Sequence, residues 1–189
     1  WSDGNHEERQ TSSTEYRLHY FLSGEGRTRD TVRKLYREHY ASGKVRADAA
    51  HSGRWGGLFF HQEITGSAEE AAQLQRYARS FVDPEGRGLF LEPEVRFPGP
   101  VSIGTPKSLN AGRMFFACYG GMHTLLEYQQ TFRDPVLEKG LLAMAEAVIH
   151  KKREELGHLL YVFPVVAYAA RHAPEPEPFR QYLLRHLKE

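Results

Sequence analysis

Four histidines, a tyrosine and several arginines recur at a similar distance from four bends in the chain. His6 precedes Gly24 by 18 residues and His51 precedes Gly66 by 15. Tyr119 and His123 precede Arg133 by 14 and 10, and His158 precedes Ala173 by 15. A helix advances about 1.5 Å per residue, so ~15 residues carry each group to the far end of its helix. By that count the groups gather on one rim. Asn5, Arg9, Arg54, Trp55 and Arg113 fall in the same zone, among clustered glycines such as Gly53, Gly56, Gly57, Gly120 and Gly121. Glycine permits tight loops and close backbone approach there.

These residue types suit the chemistry of sugar acids. In β-elimination of a uronate, the proton beside the carboxylate leaves, and negative charge develops on the carboxylate oxygens. Fixed donors lower that barrier. Arg9, Arg54 or Arg113 can grip a carboxylate through two parallel hydrogen bonds. His51, His123, His6 or Tyr119 can take the proton, and a tyrosine can return one to the leaving oxygen. Trp55 offers a stacking face for a sugar. The expected partner is therefore an acidic polysaccharide or oligosaccharide, and no cofactor is expected.

Other chemistries fit the sequence less well. Zinc needs three or four close ligands, and neither His-Glu-x-x-His nor paired cysteines occur. His6-Glu7-Glu8 is the weak remnant of a divalent-metal reading. No Gly-x-Ser-x-Gly elbow is present. A glycosidase wants two facing carboxylates; Asp3, Glu7, Glu8, Asp48, Glu92 and Glu94 are loop residues that read as solvated charge. Cys118, the one cysteine, sits in an apolar segment and reads as a small buried hydrophobe. His19, His39, His61, His150, His172 and His186 lie off the rim and receive no role.

The elements that must position these groups are helices. The bends at residues 24, 66, 133 and 173 recur at about forty residues with one longer interval, the mark of an array of helix pairs with an insertion. The first helix spans 12–23 and the second 27–42, closed by Gly43. The third spans about 55–64 and the fourth 68–82, capped by Ser67. The fifth lies within 111–130, with a second possible start after Gly120-Gly121. Asp134 caps the sixth, with Pro135 at its first position. The seventh covers about 156–171, kinked or begun at Pro164, and the eighth 179–187. Residues 83–111 carry five prolines and four glycines, so no long helix crosses them. They read as an ordered excursion with a short strand within Leu89 to Phe97. The odd helices are the more apolar, the even ones amphipathic, which predicts an inner layer covered by an outer one. The expected fold is all-α, a single domain over 1–189 of about four helix hairpins forming an (α/α)n toroid or an arc of one. An arc leaves apolar end faces, which calls for missing sequence, a further domain or self-association.

The totals narrow the partners. Basic and acidic residues number 25 and 24, a net charge of +1, which gives no general case for nucleic acid or an anionic membrane. No apolar run approaches the ~20 residues of a membrane span. A chain opening on Trp1 reads as processed or excised.

Asp3-Gly-Asn-His6, His51-Ser-Gly-Arg-Trp-Gly-Gly57, the Thr65-Gly66 bend and Tyr119-Gly-Gly-Met-His123 resemble the α/α-toroid carbohydrate-active proteins, especially the exo-rhamnogalacturonan-lyase-like and heparinase-like polysaccharide lyases. The resemblance runs over most of residues 1–172. It implies a toroid, elimination on acidic polysaccharide, and a periplasmic or secreted setting. It implies that Asn5 helps neutralise the carboxylate while His51, Tyr119 or His123 acts as base or acid. Such toroids are longer and often carry a β-sandwich that this chain lacks. Two further readings stay open: a glycoside hydrolase on the same toroid, and a helical-repeat binding scaffold without chemistry.

Overall fold

A computed structural model describes residues 13–35, 45–47, 52–83, 88–89, 95–97, 121–150 and 163–186. Within them lie eight helices, α1 (Ser13–Ser23), α2 (Gly26–Leu35), α3 (Ser52–Thr65), α4 (Ala68–Ser80), α5 (Gly121–Phe132), α6 (Pro135–Ile149), α7 (Phe163–His172) and α8 (Glu177–His186). The protein is all-α apart from a small ribbon, β1 (Val45–Ala47) paired antiparallel with β2 (Val95–Phe97). The strand expected within Leu89 to Phe97 is described over Val95–Phe97, and β1 had no sequence signal.

All four bends fall where the sequence puts them, and they share one closure. The N–H groups of Gly24, Gly66, Arg133 and Ala173 donate to the carbonyls of Tyr20, Gln62, Gln129 and Ala169, four residues back, at 2.7 to 2.9 Å. Gly24, Gly66 and Arg133 take positive φ values of 69°, 66° and 49°. This left-handed turn satisfies a carbonyl that the helix end would otherwise orphan. The next helix is then capped at once. Ser67 Oγ accepts from the N–H of Glu70, and Asp134 Oδ1 accepts from that of Val136. Each cap supplies a partner for a first-turn N–H. Pro135 stands at the start of α6, where its missing N–H costs nothing. The fifth helix is described from Gly121 and the seventh from Phe163, and the earlier residues of both expected spans lie outside the described ones.

The layering follows the sequence asymmetry. α3 packs on α1, α4 and α5, and α7 packs on α5, α6 and α8. The odd helices thus form a contiguous inner row. Its core includes Leu58, Phe59, Met122, Leu125, Val165 and Val166, all fully buried. The outer helices add Leu74, Tyr77, Leu137, Leu141 and Val148 from one side only. At one edge, α1 leaves Tyr16, Leu18, Phe21 and Leu22 exposed.

The chain leaving α4 turns back over α6. Val82 bridges to Leu89, and the N–H of Asp83 donates to the carbonyl of Gly88. Leu89 and Val82 press on Gly140, where an added Cβ would sit 2.9 Å from Leu89 Cδ2 and 3.1 Å from both Val82 methyls. So the start of the proline-rich excursion is packed, as its apolar residues require.

Two predictions follow from these contacts. Gly140→Ala should lower stability by about 1–3 kcal/mol through overpacking, read as the midpoint of urea unfolding. Arg133→Gly should raise it by about 1 kcal/mol in the same assay, since a side chain in the left-handed region is strained.

Candidate functional site

The rim inferred from the sequence is only partly within the described residues. Asn5, His6, Arg9, His51, Arg113, Tyr119 and His158 lie outside them, and so do the side chains of Arg54 and Trp55, which belong to α3. His123 is described; it is exposed on the first turn of α5.

Contacts in both layers join the second hairpin to the third. Arg79, next to last in α4, donates from Nε to Asp134 Oδ2 at 2.8 Å. Three residues further along the chain, Val82 meets Gly140 of α6. In the inner row the ring of Phe59, midway along α3, lies 6.0 Å from that of Phe132 at the end of α5.

What the inner row does bring together is a different group. Arg17 of α1 donates from Nη2 to Glu63 Oε1 at 2.7 Å and from Nε to Glu63 Oε2, gripping the carboxylate with both arms. Its Nη1 donates to Glu127 Oε2 at 2.8 Å. The guanidinium carbon stands 4.7 Å from the centre of the Phe59 ring, a cation–π contact. Three hairpins thus meet at one cation, whose side chain is 16 % exposed. The signal for it was an arginine inside an apolar stripe, with carboxylates on two neighbouring inner helices.

The electrostatics show how the charge is shared. Arg17 is pushed above its ordinary value, first by its hydrogen bonds to Glu63, against the cost of burial. Glu127 is also pushed up, first by burial, with Glu63 adding to the rise while Arg17 and His123 oppose it. An acid paired with an arginine usually moves down. Here burial and the neighbouring carboxylate prevail, because Arg17 is committed mainly to Glu63. Engaged by two carboxylates from neighbouring helices, Arg17 serves as a joint between hairpins.

Two of the histidines set aside at the sequence level have matching places. His19 and His61 each stand five residues before a bend, and each Nδ1 meets a side chain four residues after it, Thr28 Oγ1 at 3.0 Å and Glu70 Oε1 at 2.8 Å. Ser23 and Thr65 then donate to the carbonyls of those histidines. The ties hold each hairpin closed. In the third hairpin the corresponding place is Tyr128, whose hydroxyl is pushed up to about 12 by burial first and Asp134 second. It stays neutral as part of the core.

No set of three His, Cys, Asp or Glu among the described residues is placed to hold a metal ion. No helix among them is long and apolar enough to cross a membrane. No protein-family profile, curated protein or solved structure matches the chain.

The Arg17 joint gives a signed prediction. Glu127 binds its proton more readily folded than unfolded, so its contribution to stability is greatest below about pH 4.5 and is lost as pH rises through its elevated pKa. Glu127→Gln should therefore keep or raise the melting temperature at pH 7, with the difference from wild type shrinking toward pH 4. Glu63→Gln should cost about 1–3 kcal/mol at pH 7 because Arg17 loses its two-armed partner. Differential scanning calorimetry across that range separates the two responses.

Proposed function

We propose that the chain is a helix-hairpin domain of a carbohydrate-active protein that cleaves uronate-containing polysaccharide by β-elimination. The observation that carries this reading is the array of four hairpins with equivalent bends, the scaffold that the rim motifs of the α/α-toroid lyases imply. The tightest cluster of rim candidates is at the start of α3, where His51, Arg54 and Trp55 fall within five residues of each other. They combine a base, a carboxylate partner and a stacking ring, and a helix start favours an anion. His123, exposed on the first turn of α5, is the alternative base. In this reading His51 removes the proton beside the carboxylate, and Arg54 holds the charge that builds there. Asn5, His6, Arg9, Arg113, Tyr119 and His158 remain candidates for completing the site, with Tyr119 the phenol that can protonate the leaving oxygen.

A second reading is favoured by the Arg17 joint. An inner-row cation that holds three hairpins together suits a helical-repeat binding scaffold, which needs no catalytic pocket. The two readings part on one experiment. Acidic polysaccharides are incubated with the protein and new unsaturated ends are followed by their ultraviolet absorbance. Elimination predicts a signal that His51→Ala and His123→Ala each reduce at least 10²-fold. No unsaturated ends from any uronate polymer defeats the lyase reading in favour of the scaffold. Reducing ends without that absorbance point to hydrolysis.

A further inference from the structure

In the first two hairpins the residue seven before the bend faces forward along the array. Arg17 reaches Glu63 and Glu127, and Phe59 meets Tyr128 and Phe132. In the second hairpin the residue that follows faces back. Phe60 is fully buried, with the rings of Tyr20 and Phe21 of α1 at 5.4 and 5.8 Å. Leu18 holds that backward place on α1, six residues before Gly24 as Phe60 is six before Gly66. It is 48 % exposed. Leu22, one turn on and on the same face, is 87 % exposed, and Phe21 beside them 54 %.

Two observations say what covers this face. α1 packs on α2 and α3, and the stripe of Leu18 and Leu22 is left over. Among the described residues the other large exposed hydrophobic side chains are Tyr16 on α1 itself, Val136 on α6 and Leu184 on α8. Neither α6 nor α8 offers a facing stripe, so the surface that matches α1 is α1 of a second copy. The area agrees. At roughly 200 Å² for a large side chain, Leu18, Phe21 and Leu22 leave roughly 400 Å² of apolar surface per copy. A dimer of ordinary size takes about 800 Å² from each partner, a little over half of it apolar.

We propose that two copies of the chain pair through this face, α1 against α1, about a twofold axis. Such a contact uses the same patch on both sides and closes on itself, so assembly stops at two. It gives Leu18 and Leu22 the cover that Phe60 has within the chain, and it joins two arrays end to end. The pairing stands apart from the carbohydrate reading.

The test is sedimentation equilibrium of the full chain over about 1–500 μM, where a monomer–dimer equilibrium with a Kd of about 1–100 μM is expected. Leu22→Glu should weaken pairing about 100-fold or more, because like charges then meet across the axis. Leu184→Glu, on the exposed face of α8, should leave it unchanged. The double variants Leu18→Glu/Leu22→Glu and Leu18→Lys/Leu22→Lys should each be monomeric, and an equimolar mixture of the two should dimerise. A head-to-tail contact would not recover in the mixture, since only one of its two faces is altered. Melting followed by circular dichroism should give the variants, diluted to monomer, the wild-type midpoint, so loss of pairing through unfolding is recognisable. A wild type that stays monomeric throughout overturns the proposal. So does a dimer that persists in Leu22→Glu, or a mixture that stays monomeric. A monomer that melts lower as Leu22→Glu means that the chain's own residues cover α1, and overturns it as well.

Discussion

One buried ion pair locks the second hairpin to the third. Asp134 is almost fully buried, caps α6 through the N–H of Val136 and accepts from Arg79 at the end of α4. A buried carboxylate is tolerable only when its oxygens are engaged, and both of these are. The same carboxylate thus starts a helix and holds its neighbour, and the contact of Val82 with Gly140 carries the seam on into α6.

Arg17 acts in the complementary sense. The Asp134 pair joins the second and third hairpins, while Arg17 draws the first against both of them through Glu63 and Glu127. Phe59 lies under the guanidinium and also meets Tyr128 and Phe132. The polar joint and the aromatic core are therefore one packed unit, and Glu127 bears the residual cost of burial.

Much of this was legible in the sequence, and the reason is locality. Gly24, Gly66 and the Asp134-Pro135 pair announce helix ends through backbone conformation and capping, which depend on a few neighbouring residues. The alternation of apolar odd helices with amphipathic even ones gave the layers for a similar reason. The joint between the second and third hairpins was not legible. It turns on a contact between Arg79 and Asp134, 55 residues apart, and neither residue differs locally from an ordinary surface charge or cap. Most of the rim inferred from histidine spacing lies outside the described residues. His19 and His61 were passed over because the spacing rule looked to the far end of each helix, while their partners lie across the nearest bend. Strand β1 was missed because three residues are too short for an alternating pattern.

The bends absorb little change in length. A bend closed by an i to i−4 bond has a fixed length, and one extra residue would break the bond and rotate the following helix. Each bend therefore fixes the phase between the two helices it joins. A family of such hairpins can change its side chains freely, yet it must keep its loop lengths at Gly24, Gly66, Arg133 and Ala173 if the apolar stripes are to stay face to face.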